Sequence, residues 1–163
     1  MTTRRTSTRP VAAQGPATEE GRGGEETTEA ATTGEGTPLN PHPRFSLATV
    51  VVDCPDAPAL ADFYQRLLGW EVKFHESDWV LLRPPEGGTG LSFQSEAAYR
   101  PPVWPERAEE QQKMLHLDIR VDDLDEAGAY AVALGATLAE VQPQDDVRVF
   151  FDPAGHLFCL FLH

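Results

Sequence analysis

The sequence contains little cysteine. Its 163 residues include only Cys54 and Cys159, which share no CxxC or other metal-ligand spacing. A disulfide framework and a cysteine-rich zinc site are therefore excluded as the basis of the fold. Two thiols inside apolar stretches are typical of reduced, buried cysteines. We therefore expect a cytoplasmic protein in which these two residues do not form a disulfide.

Basic charge and long apolar runs are scarce as well. The chain has 13 Lys and Arg against 26 Asp and Glu, a formal net charge of −13, and residues 44–163 alone carry −11. Nucleic-acid binding needs a cationic surface that neutralises phosphates, so nucleic acid is not an expected partner. No stretch has the length and apolarity of a membrane span or a secretory signal, so we expect neither a membrane partner nor export.

Residues 1–43 have few large apolar side chains beyond Val11 and Leu39. The segment is rich in Thr, Gly, Glu, Ala and Pro, and it cannot bury enough surface to offset its ordering entropy. We therefore predict a disordered tail over residues 1–43 and a folded domain over residues 44–163. Arginine and threonine would also suit an organellar transit peptide, but the glutamates in this segment argue against one.

The clearest pattern lies between Met114 and Val141. Apolar and polar residues alternate there with the period of a strand, the apolar set being Leu115, Leu117, Ile119 and Val121 and the polar set His116, Asp118 and Arg120. The polar set should therefore share the face opposite the core. Asp122 and Asp123 then predict the start of a helix, and Gly135 predicts its left-handed end.

The stretch from Leu47 to Val72 repeats this pattern. An offset of 67 residues aligns Thr49 with His116 and Asp56 with Asp123, and Gly69 ends the first predicted helix. In both copies, short apolar runs separated by Pro- and Gly-containing turns follow. We therefore predict an α+β domain of paired β-α-β-β-β modules, with two curved sheets whose helices pack on the convex sides and whose concave sides face a cavity.

On these motifs the chain resembles the vicinal oxygen chelate (VOC) superfamily, which includes glyoxalase I, the bleomycin resistance proteins and the extradiol dioxygenases. The motifs that carry the resemblance are Leu68-Gly69-Trp70, His116-Leu117-Asp118, Leu134-Gly135-Ala136 and Asp152-Pro153-Ala154-Gly155-His156. Within the superfamily the chain is most similar to glyoxalase-like proteins. The resemblance implies a small-molecule ligand in the concave cavity and a homodimer.

Metal-dependent members take ligands from the first and last strands of each module. The resemblance places these positions at Thr49, Gln94, His116 and Cys159. Only His116 is a strong ligand type, although Gln94 offers a neutral oxygen and Asp118 lies two residues along the same face as a substitute carboxylate. A bound divalent metal is therefore not favoured, and His116 and Gln94 are the ligands that it would use.

The candidate catalytic residues are His116 and Asp118, as an imidazole and a carboxylate on one face. The candidate substrate contacts are Thr49, Gln94, Arg120, Trp104 and Cys159. Four of these residues have a structural alternative. His116 could line the pocket without contacting a ligand or metal, and Asp118 could pair with Arg120. Cys159 could be a small buried side chain, and Trp104 could pack as a tether for the proline-rich linker.

The remaining histidines give no further site. His75 and His156 fall at strand ends or turns, and neither pairs with another ligand by spacing. Whether the chain is an enzyme is left open. It could be a glyoxalase-like lyase or isomerase, a non-catalytic drug-binding protein of the bleomycin resistance type, a metal-dependent dioxygenase-like enzyme, or an interaction module that uses its acidic surface.

Overall fold

A computed structural model describes residues 44–162, so the predicted tail lies outside the described residues. These residues form eight strands and two helices. In chain order they are β1 (Thr49–Cys54), α1 (Ala57–Leu68), β2 (Glu71–His75), β3 (Trp79–Arg83), β4 (Gly90–Ser95), β5 (Leu117–Arg120), α2 (Leu124–Leu134), β6 (Thr137–Leu138), β7 (Val147–Phe151) and β8 (Leu157–Phe161).

The strands form two four-stranded sheets with the same topology. The orders are β1-β4-β3-β2 and β5-β8-β7-β6, and in each sheet the first and last strands of the module pair in parallel while the other pairs are antiparallel. The predicted pair of β-α-β-β-β modules is therefore confirmed. The connecting helix of each module supplies the crossover that a parallel pair of strands requires.

Both helices begin and end as their sequences predict. The Asp56 side chain accepts from Ala59 N at 3.0 Å at the start of α1, and Asp123 accepts from two backbone N–H groups at 2.9 Å at the start of α2. Gly69 and Gly135 follow the helices with φ of 68° and 114°. This left-handed conformation is strained for residues with a Cβ, which is why glycine stands at both positions.

One apolar core joins the two modules through α1. The Tyr64 ring stacks on Phe93 of β4 with centroids 5.3 Å apart, and the Phe63 ring lies 6.0 Å from Phe158 of β8. Both helix residues are almost fully buried. Each sheet therefore packs one face on the helices, and the polar residues of its first strand lie on the other face.

The alternation in the second module begins later than predicted. Leu117 and Ile119 pack against the core, but Leu115 is 51% exposed. The strand begins at Leu117, so Leu115 precedes the pleated segment and the period of two does not extend to it. His116 likewise lies just before β5. The two helices of residues 44–162 have 12 and 11 residues, which is too short to span a bilayer.

Candidate functional site

The open face of the second sheet borders a cavity of about 460 Å³. Apolar side chains from β7 and β8 form one wall, including Val149, Leu157 and Phe161. The polar residues that line it are His116, Asp118, Cys159, Lys113, Gln144 and Asp146, and Trp104 completes the aromatic part of the lining. The cavity thus combines a mostly apolar surface with a few polar groups, which is the usual composition of small-molecule sites.

Three of these residues form a compact polar cluster. His116 Nε2 lies 3.2 Å from Asp118 Oδ1, and one ligand atom each from His116, Asp118 and Cys159 lie within 4.8 Å of one another. Asp118 belongs to β5 and His116 lies just before that strand, and both side chains line the cavity. The parallel register of β5 and β8 then sets Asp118 beside Cys159. The cluster therefore arises from two residues that are close in the chain and from one long-range strand pairing.

Cys159 is partly buried, and its thiol is held in the neutral form. Burial raises the pKa of Cys159, and the negative charge of Asp118 and a hydrogen bond to its carboxylate raise it further, whereas Lys113 acts in the opposite direction. A thiol is a strong nucleophile or metal ligand only as the thiolate. At neutral pH this group is therefore a weak donor within the cavity.

Trp104 holds the linker between the modules against the cavity. Its Nε1 donates to Val141 O at 3.1 Å, so the linker is tied to the loop after β6. The Lys113 ammonium lies 5.1 Å from the Trp104 ring centroid and 2.6 Å from Glu106 Oε1. Trp104 is therefore positioned both as a wall of the cavity and as a tether for the crossover segment.

The structure does not bring the other candidate residues into this cavity. Thr49 and Gln94 belong to the first sheet, where Thr49 Oγ1 lies 2.9 Å from Ser92 Oγ and Gln94 Nε2 donates to the Glu96 carboxylate. Arg120 is exposed at the end of β5 and does not line the cavity. Of the four positions that the resemblance implies for metal ligands, this cavity contains only His116 and Cys159.

His156 has a partner that sequence spacing did not reveal. Its Nδ1 lies 3.0 Å from Asp152 Oδ2, and its Nε2 donates to the backbone carbonyl of Asp53 at 2.8 Å. The Asp152 carboxylate is fully buried and also accepts from the Tyr64 hydroxyl at 3.0 Å. Burial, followed by the charge and hydrogen bond of Asp152, raises the pKa of Tyr64 well above its usual value. The i,i+4 spacing of Asp152 and His156 across a Pro-Ala-Gly turn is the signal that could have identified the pair.

The cluster suits a metal ion in part. His116, Asp118 and Cys159 offer nitrogen, oxygen and sulfur donors, the types that bind Zn²⁺ in three-ligand sites with an open position. Two features oppose tight binding. The thiol must first lose its proton, against its raised pKa, and the Asp118 side chain is 61% exposed. Gln94 does not line the cavity, so Asp118 would act as the metal ligand in place of Gln94, to which the resemblance assigns that role.

Comparison with known proteins agrees with this architecture. The model of the glyoxalase-like domain family matches residues 49–161. A search of the curated proteins finds no significant match.

Similar solved structures include a glyoxalase/bleomycin resistance protein/dioxygenase family enzyme from Burkholderia phytofirmans PsJN, at 17% identity and a TM-score of 0.56, covering 72% of this chain and 98% of that one. They also include a glyoxalase family protein from Enterococcus faecalis, at 22% identity and a TM-score of 0.54, covering 71% and 96% of the respective chains. Identities this low establish the fold alone.

Proposed function

Because the chain belongs to the glyoxalase-like domain family, we propose that it binds a small, partly apolar molecule in the cavity of its second module. The observation that supports this most is the His116, Asp118 and Cys159 cluster, which faces a largely apolar cavity of about 460 Å³. This volume lies within the range of small-molecule sites. His116 is 37% and Asp118 61% exposed, so a ligand can reach both side chains.

The pair is also arranged for proton transfer. Because Asp118 Oδ1 lies 3.2 Å from His116 Nε2, we propose that the Asp118 carboxylate favours the His116 tautomer with the proton on Nε2. In the neutral ring, Nδ1 then presents a lone pair that can accept a hydrogen bond or a proton from the ligand. Such a base next to an apolar surface suits lyase or isomerase chemistry on a carbonyl compound. Without that chemistry, the same groups suit sequestration of a drug-like molecule.

Thermal-shift screening of small carbonyl compounds and drug-like molecules, followed by calorimetry, tests the proposal. We expect a hit whose affinity falls in His116→Ala and Asp118→Asn. His75→Ala is the matched control, because His75 is exposed at the end of β2 and lies outside the cavity. A hit whose affinity is equal in all three variants would place the ligand elsewhere. Turnover of a bound hit distinguishes an enzyme from a sequestering protein.

A metal-dependent enzyme, such as a dioxygenase-like one, is the second candidate. The nitrogen, oxygen and sulfur donors of the cluster lie close enough together to bind one metal ion. A bound dication would be held by His116, Asp118 and Cys159 and would supply Lewis-acid polarisation of a ligand oxygen. The apolar wall and Trp104 would act in the same way in both candidates, by orienting the ligand and excluding water.

We also propose a homodimer in the cytoplasm. The exposed apolar residues Phe45 and Leu47, with 81% and 69% of their surfaces accessible, precede β1 and offer an area that a second copy can cover. Both cysteines are free, in keeping with a reducing compartment. Light scattering coupled to size exclusion tests the dimer, and Phe45→Ser with Leu47→Ser should shift it to a monomer.

A further inference from the structure

A second cavity, of about 420 Å³, lies at the junction of the two modules. Strand β1, the linker that follows β4, the segment before β5, and His156 border it. Of the residues of the His116 cavity, only Lys113 also lines this one. The junction cavity is therefore a separate site from the one described above.

Two oppositely charged residues of this cavity are carried on anchored backbone. His156 Nε2 holds the Asp53 carbonyl at 2.8 Å. Tyr99 directly precedes Arg100 in the chain, and its hydroxyl donates to Ala154 O at 3.1 Å. The same turn, Asp152–His156, thus fixes the main chain beside both charges. Main chain that is already ordered loses less entropy when a ligand binds beside it.

Close packing adds to this anchoring. A Cβ at Gly155 would lie 2.8 Å from Pro101 Cβ, so the linker lies directly on the turn and glycine is required there. Gly155 also has φ of 92°, which favours glycine for a second reason. The segment that carries Arg100 is therefore held on both sides.

Asp53 and Arg100 are the charges in this cavity that remain available. The Glu96 carboxylate accepts from Gln94, Lys113 pairs with Glu106, and both nitrogens of His156 face oxygen acceptors. Asp53 and Arg100 are exposed and, within residues 44–162, have no ion pair with each other or with another group. The cavity therefore presents the Asp53 carboxylate and the Arg100 guanidinium without an ion-pair partner, beside Glu96, whose charge the neutral Gln94 amide does not cancel.

Uncovered apolar side chains line the same cavity as these charges. Val51, Leu115 and Met114 line the cavity and are 39%, 51% and 87% exposed. Met114 also has φ of 24°, and it is the only residue other than glycine with positive φ in the described part of the chain. Strained backbone of this kind is concentrated at functional sites. Here the strained residue lines the junction cavity, and its own large apolar side chain is exposed to solvent.

We propose that the junction cavity binds an α-amino acid or short peptide with an apolar side chain. The ammonium group pairs with Asp53, the carboxylate pairs with Arg100, and the apolar side chain covers Val51 and Leu115. A zwitterion satisfies both free charges, whereas a simple acid or amine satisfies one of them. The proposal does not depend on the function proposed for the His116 cavity.

Calorimetry on the full chain with four probes tests this proposal. The probes are L-leucine, leucyl-leucine, 4-methylpentanoate, which lacks the ammonium group, and isoamylamine, which lacks the carboxylate. We expect at least one zwitterion to bind about threefold to tenfold more tightly than either single-charge analogue. The preferred zwitterion, leucine or the dipeptide, reports the spacing that the two charges require.

Variants locate the site. Asp53→Asn and Arg100→Gln should each weaken zwitterion binding by about threefold to tenfold, whereas the exposed controls Asp145→Asn and Arg107→Gln should not. Because all four side chains are exposed, each variant is expected to fold, and its melting temperature checks this. The proposal is overturned by equal binding of a single-charge analogue, or by loss of binding in His116→Ala alone. The proposal is also overturned if no zwitterion shows saturable binding up to about 10 mM, a concentration well above the Kd expected for so small a ligand.

Discussion

His156 Nε2 donates to the backbone carbonyl of Asp53 across 2.8 Å, although the two residues are 103 positions apart. The bond joins the turn before β8 of the second module to β1 of the first. The same imidazole meets the buried carboxylate of Asp152, which also accepts from Tyr64 of α1. The turn is therefore a polar link between the two modules, in addition to their shared apolar core and to the hydrogen bond from the Tyr130 hydroxyl to Arg66 O.

Asp152→Ala should destabilise the domain by about 3 kcal/mol, because the Tyr64 hydroxyl and two backbone N–H groups would lose their acceptor in a buried position. Urea denaturation measures this free energy of unfolding. The exposed Asp145→Ala should change it by less than about 0.5 kcal/mol. Equal effects of the two substitutions would mean that the buried network contributes little to stability.

Gly69→Val should destabilise by about 1 kcal/mol or more, because valine is strained at φ of 68°. A Cβ at this position meets nothing within 4 Å, so the cost comes from the backbone alone. Gly69→Asn is the matched control and should cost less, since asparagine tolerates the left-handed region. Thermal unfolding of both variants checks the order, and equal melting temperatures would contradict it.

His116→Ala and Asp118→Asn should each weaken binding of a hit from the ligand screen by about tenfold and change stability by less than about 1 kcal/mol. Both side chains face the cavity rather than the core, so the loss should appear in affinity. A double-mutant cycle should show non-additive affinity losses, because Asp118 orients His116. Losses in stability with unchanged affinity would make the pair structural.

Cys159 should react with iodoacetamide at neutral pH more slowly than an ordinary thiol. Its raised pKa keeps the thiolate scarce, and reactivity should rise only as pH approaches that raised pKa. Asp118→Asn removes a negative charge and should move the alkylation profile of Cys159 to lower pH. Peptide-resolved mass spectrometry separates Cys159 from the buried Cys54, whose pKa burial raises to about 11 and which serves as the internal control. An unchanged Cys159 profile would argue against the contact with Asp118.

Purified protein dialysed against Zn²⁺, Ni²⁺, Mn²⁺ or Fe²⁺ should retain substoichiometric metal, because the Cys159 thiol is neutral and Asp118 is exposed. Cys159→Glu should raise metal affinity by placing a carboxylate next to His116 and Asp118. Elemental analysis measures both. Stoichiometric metal in the unmodified protein, lost in His116→Ala, would favour the metal-dependent candidate instead.

The sequence by itself determined the elements and the closeness of His116 and Asp118, which are two positions apart. Alternation with a period of two, an aspartate before each helix and a glycine after it are local signals, and they predicted both modules. The prediction that Leu115 faces the core was wrong, because the alternation alone does not show at which residue the strand begins. These features depend on residues close together in the chain, so a single sequence contains the information.

Only the tertiary structure decided which residues complete each site. Cys159 joins His116 and Asp118 because β5 and β8 pair in one particular parallel register, while Thr49 and Gln94 remain on the other sheet. The meeting of His156 with Asp53 likewise depends on how the two modules pack. Strand register and module packing are set by the summed burial of many side chains, and no local pattern specifies them.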